Sequence, residues 1–89
     1  MNTVWRKIVV KDKDELEEIA HAVLQIAHKQ TRYNDSRGKL IIYSDKCNTL
    51  YIKTRRADFL IALEETYPDR VMFCDFPSML SLKLRFEVN

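Results

Sequence analysis

The stretch Lys39-Leu40-Ile41-Ile42-Tyr43-Ser44-Asp45-Lys46-Cys47-Asn48-Thr49-Leu50-Tyr51-Ile52-Lys53 decides the fold. Residues 39–44 form an apolar strand, residues 45–48 a polar turn, and residues 49–53 the returning strand. Turns of this length are common in hairpins. A helical pattern lies on each side of the hairpin, and a strand lies beyond each helix.

On the N-terminal side, residues 12–30 carry the strongest helical signal. Leu16, Ile19, Ala20, Val23, Ile26 and Ala27 recur at steps of three and four, which lays one apolar stripe along a helix. Asp12 and Glu15 have the spacing of a capping box, with Asp12 accepting backbone N–H groups and Glu15 reaching back. Five acids crowd residues 12–18, where they suit the positive end of the helix. Residues 31–38 are a polar connection, and residues 4–10 a first strand.

On the C-terminal side, residues 55–67 predict a second helix stopped by Pro68, with Phe59, Leu60, Leu63 and Tyr67 inward and Ala57 and Ile61 widening that face. Residues 70–76 predict a strand. Residues 80–88 alternate strictly: Leu80, Leu82, Leu84, Phe86 and Val88 against Ser81, Lys83, Arg85 and Glu87. That period predicts a last strand with the apolar set buried and Lys83 and Arg85 exposed.

The element order is strand–helix–hairpin–helix–hairpin, or β-α-β-β-α-β-β. It is the ferredoxin-like order with an extra C-terminal strand, placed either at a sheet edge or beside its neighbour. Hairpin–helix–hairpin also resembles, in element order, the double-wing DNA-binding domain of a phage transcription activator. Neither likeness rests on a motif, and no family follows from them.

The chain has 89 residues, 46% apolar and 31% charged, which suits one α+β domain over residues 1–89 with a single core. That is too short for a Rossmann or barrel enzyme and too apolar for a disordered tail. The lone glycine, Gly38, excludes phosphate loops and dinucleotide fingerprints that need two or three. Residues 8–10 are the only apolar run near the start, and no run approaches the ~20 residues of a membrane span. A cytoplasmic location and no membrane partner are therefore expected.

Chemistry-bearing residues are sparse. His21 and His28 stand two helical turns apart, too far to share a metal ion. Glu17 supports His21 from one turn away. Cys47 and Cys74 lack zinc spacing, and Cys74 sits in the apolar run 71–74 as an expected buried thiol. No nucleophile frame is visible. Asp12, just after the first strand, resembles in position alone a metal-binding aspartate of small ferredoxin-like nucleases, but helix capping accounts for it better. No enzyme activity, cofactor or metal is expected.

Charge is the informative feature. The net charge is only +2, yet residues 29–56 hold Lys29, Arg32, Arg37, Lys39, Lys46, Lys53, Arg55 and Arg56 against Asp35 and Asp45. Tyr33, Tyr43 and Tyr51 lie among these bases, the combination that single-stranded nucleic acids use for phosphate contact and stacking. Arg55 and Arg56 at the start of the second helix, with Glu64 and Glu65 near its end, oppose the helix dipole. A local rule broken without visible gain marks a candidate anion seat.

The expected function is a small non-enzymatic regulatory module that contacts nucleic acid. The hairpin and the start of the second helix would bind through Lys39, Tyr43, Lys46, Tyr51, Lys53, Arg55 and Arg56. The alternative is a protein-binding inhibitor or adaptor, like the small accessory proteins of phages. It would use an edge strand, or set the same basic patch against an acidic protein surface. The oligomeric state stays open.

Overall fold

A computed structural model of the chain describes residues 4–29, 39–46, 48–75 and 77–88. The expected polar connection over residues 31–38, with Tyr33, and the turn residue Cys47 lie outside the described residues. The elements are β1 (Val4–Val9), α1 (Lys13–Lys29), β2 (Leu40–Ser44), β3 (Thr49–Thr54), α2 (Ala57–Thr66), β4 (Val71–Phe73) and β5 (Lys83–Val88), with one 3-10 turn at Met79–Ser81. All strand pairs are antiparallel, and the sheet order is β4-β1-β3-β2-β5. This is the ferredoxin-like arrangement with an extra strand on the β2 edge.

The helices cover one face of the sheet. Ile8 and Val10 from the β1 region, Leu40 and Ile42 from β2, and Leu50 and Ile52 from β3 meet Leu16, Ile19, Ala20, Val23 and Ala27 of α1 and Phe59 and Leu63 of α2 in one core. Strand alternation thus directs Trp5, Lys7, Val9, Ile41, Tyr43, Thr49, Tyr51 and Lys53 to the helix-free face.

Helix α1 begins as its sequence dictates. The Glu15 N–H donates to Asp12 Oδ1 at 2.9 Å, and Glu15 Oε1 accepts the Lys11 N–H at 3.0 Å. Glu15 also receives Arg70 Nη2 at 2.9 Å, and the same nitrogen donates to the Val9 carbonyl at 3.1 Å. This arginine therefore ties the α2–β4 turn to the start of α1. The guanidinium and then the Lys11 N–H hold the Glu15 carboxyl below its ordinary pKa.

The structure corrects the second half of the chain in four places. First, of the two placements open to the last strand, β5 takes the sheet edge, so β4 and β5 are not a hairpin and occupy opposite edges of the sheet. The connection from Cys74 to Leu82 leaves on the helix-free side, where the Cys74 thiol lies within electrostatic reach of Lys7 and Tyr51. It then reaches the far end of β2, where Lys83 pairs with Ser44.

Second, the apolar set of residues 80–88 does not share one face. Leu80 belongs to the 3-10 turn and is 100% exposed. A register shift between Ile42 and Tyr43 sets Leu84 opposite Tyr43, so Leu84 faces the helix-free side and stays 53% exposed. Arg85, at the irregularity, turns to Glu17 on α1. A bulge adds one residue to a strand and reverses its alternation from that point. Phe86 and Val88, beyond the shift, pack against the core as expected.

Third, α2 starts at Ala57, not residue 55, with Arg56 as its N-cap residue. Fourth, Ile61, Met72 and Phe73 are exposed, and Cys74 is half-buried instead of fully buried. Met72 and Phe73 belong to β4 itself, a three-residue strand at the edge of the sheet.

Candidate nucleic-acid interface

The hairpin β2–β3 is fixed at its tip by Asp45. Its Oδ1 accepts the Asn48 and Thr49 N–H groups, each at 3.0 Å, and the Asp45 N–H donates to the Thr49 carbonyl at 3.1 Å. An aspartate that bonds the backbone three and four residues on makes such a turn rigid. Tyr43 and Tyr51 follow as directly opposed residues on the helix-free face.

These tyrosines have company that the sequence reading did not assign. Trp5 on β1 lies opposite Lys53, and Lys7 lies opposite Tyr51. The Trp5 and Tyr43 ring centroids are 5.8 Å apart with planes tilted by 32°. The Lys53 ammonium sits 5.8 Å from the Trp5 ring centroid, within range of a cation–π contact. The result is an aromatic row across three strands with Lys7 and Lys53 interleaved. The alternation of residues 4–10 carried the signal for Trp5 and Lys7. A single strand cannot say which of its faces the helices will cover.

Accessibility within the row is uneven. Tyr43, Tyr51, Lys7 and Lys53 are half-buried, whereas Trp5 is only 6% exposed and forms the floor. Burial, and then the charges of Asp45 and Cys74, raise the Tyr51 pKa, so its hydroxyl stays a neutral donor. Burial likewise raises the Cys74 pKa, which disfavours the reactive thiolate. Its Sγ lies 3.1 Å from the Asp75 carbonyl.

The other candidate residues divide. Lys39 and Arg55 are exposed near the outer end of the hairpin, where Leu40 pairs with Thr54. Lys39 Nζ is 3.3 Å from Glu87 Oε2, so part of its charge is already engaged. Lys46 is exposed at the opposite end, in the turn. A five-residue strand separates the two ends, roughly 17 Å. The expected patch is thus two cationic ends with an aromatic row between them.

Arg56 leaves the patch. It is 3% exposed, its N–H donates to Thr54 Oγ1 at 3.0 Å, and its Nη2 lies 3.5 Å from the Val88 carbonyl. Burial lowers its pKa from the ordinary value. Arg56 therefore clamps the start of α2 to the end of β5 and cannot be an exposed anion contact. The misplaced charge that the helix dipole argument noticed has a structural explanation at Arg56, and Arg55 alone stays on the surface.

Asp12 is engaged in capping, and the described residues contain no cluster of three or more His, Cys, Asp or Glu side chains arranged for a metal ion. None of the described helices is long and apolar enough to cross a membrane. No family model matches the sequence, and neither a curated protein nor a solved structure shows significant similarity to it.

Proposed function

We propose that this protein is a non-enzymatic binding module that holds single-stranded nucleic acid across the helix-free face of its sheet. The Tyr43–Tyr51 pair, flanked on the same face by Lys7 and Lys53, carries this reading. Half-exposed aromatic rings stack on bases of any sequence, while ammonium groups beside them neutralise the backbone. Lys39 and Arg55 at one end and Lys46 at the other extend the cationic track beyond the rings. A duplex keeps its bases stacked inside and gains only the phosphate contacts.

The test is fluorescence anisotropy with a labelled single strand and the matching duplex at two salt concentrations. Preference for the single strand is expected, with Tyr51→Ala weakening it by about 1–3 kcal/mol. Arg55→Ala should lower the salt slope by roughly one, the signature of one lost phosphate contact. Equal affinity for both forms, or an unchanged Tyr51→Ala, defeats the proposal.

A second reading, a protein-binding adaptor, has its own observation. On the free edge at β4, Phe73 is 77% exposed, with the Arg6 guanidinium 3.9 Å from its ring centroid and Glu64 4.0 Å from Arg6 Nε. An edge strand with an exposed aromatic is a place for a partner strand to add. If Phe73→Ala abolishes capture of a host protein while oligonucleotides fail to bind, the adaptor reading replaces the first.

A further inference from the structure

Apart from the aromatic row, a concavity lies on the opposite, helix-covered side, at the β2–β5 edge. It is an open groove of about 600 Å3 between the start of α1, the end of β2 and the start of β5. Its walls include Lys13, Lys46 and Lys83, one lysine from each of three separate segments, with Ser44 among the lining residues. We propose that this groove is a binding site for a phosphate monoester of mononucleotide size.

The charges of the lining favour an anion. Lys13, Lys46 and Lys83 make no ion pair among the described residues. The carboxylates around them are largely spoken for. Glu17 binds Arg85, and Asp45 accepts the two backbone N–H groups that lock the hairpin turn. Asp14 is a further lining residue, an acceptor for a ligand hydroxyl. Three ammonium groups held around one groove repel each other unless something negative sits between them. The helix terminus adds little, because Asp12 already caps it.

Ser44 supplies an independent observation. It continues the inward series Leu40, Ile42, Ser44 of β2, is 1% exposed and lines the groove. A serine hydroxyl that lines a groove can donate a hydrogen bond to a ligand oxygen, which an apolar residue at the same position could not do. A phosphate oxygen in the groove gives this hydroxyl an acceptor. The groove volume lies within the range of about 300–1,000 Å3 typical of small-molecule sites.

This inference does not rest on the nucleic-acid reading: the two surfaces share Lys46 at the hairpin tip, but Lys13, Ser44 and Lys83 belong to the groove alone. The experiment is a titration of the isotope-labelled full chain, followed by amide chemical shifts, with inorganic phosphate, adenosine 5′-monophosphate and adenosine. The two phosphates should produce saturable shifts in residues 13–17, 44–46 and 83–85, and adenosine should produce none there. Lys46→Ala with Lys83→Ala should weaken phosphate binding by at least about tenfold, since a hydrogen bond to a charged group is worth ~1.5–3 kcal/mol. Ser44→Ala, which leaves every charge in place, should weaken it severalfold. Tyr51→Ala, the variant that tests the other face, should leave it unchanged. Absence of saturable shifts at about 10 mM ligand, far above the millimolar range of even weak sites, overturns the proposal. So does equal affinity in the double lysine variant, or in Ser44→Ala, which would leave only diffuse attraction.

Discussion

The two faces of this sheet are made from the same strands and follow opposite rules. On β3, Leu50 and Ile52 point to the helices and are fully buried, while Tyr51 and Lys53 point away and keep part of their surface in water. The covered face holds the fold together by removing apolar area from solvent. The other face mixes rings with ammonium groups. One strand can thus divide stability and recognition between alternate residues, because its side chains alternate by geometry alone.

The largest test of that division is a pair of neighbours. Ile52→Ala should cost about 2–5 kcal/mol, the range for deleting a buried aliphatic side chain, in urea denaturation. Tyr51→Ala should cost markedly less while weakening the proposed nucleic-acid binding. Equal losses in the two variants would break the comparison.

A second pair lies at the start of α2. Arg56→Ala should cost about 1–3 kcal/mol, because the Val88 carbonyl loses a donor and the guanidinium leaves a void. Arg55→Ala should change stability by less than about 0.5 kcal/mol, as for most surface substitutions. Similar melting temperatures for the two variants would put Arg56 back on the surface.

The third test sharpens the register of β5. Leu84→Ala should cost under about 1 kcal/mol, well below the buried-leucine range, because much of its side chain is already in water. Phe86→Ala, beyond the bulge, should cost more. The reverse order would mean unbroken alternation along β5.

The smallest effect is a pH dependence at the edge of the covered face. Arg70 and the Lys11 N–H lower the Glu15 pKa in the folded state. The stabilisation is therefore fully present above the unfolded value of about 4.5 and is lost as pH falls through the lower folded value. Arg70→Ala should flatten this acid limb in a pH series of thermal melts. An identical acid limb in wild type and variant would remove Arg70 as its cause.

The legible parts of the sequence are those where local and long-range requirements agree. The stripe from Leu16 to Ala27 and the Asp12–Glu15 spacing specify α1 without help from the rest of the chain. The β2–β3 hairpin is equally plain, since the Asp45 turn and the apolar runs act together. Residues 80–88 misled because Leu80 and Leu82 continue an alternation that the backbone does not follow. The bulge that redirects Leu84 exists only against β2, some forty residues earlier. In the candidate site, Tyr43, Tyr51 and Lys53 were visible, but the role of Arg56 depended on a helix boundary two residues away. Trp5 and Lys7 needed knowledge of which face the helices cover.

The path of the β4–β5 connection has a consequence for how the molecule reaches its final state. Without β5 the sheet would be β4-β1-β3-β2, with β2 as an outer strand. In that state Leu40, Ile41, Ile42 and Tyr43 would present an unpaired backbone edge rich in β-branched and aromatic residues, the kind that recruits other chains. β5 closes it and leaves outside a strand bearing Lys83, Arg85 and Glu87, interrupted by a bulge. Its docking thus shields the molecule from its own copies, and opening of β5 is the step at which aggregation would begin.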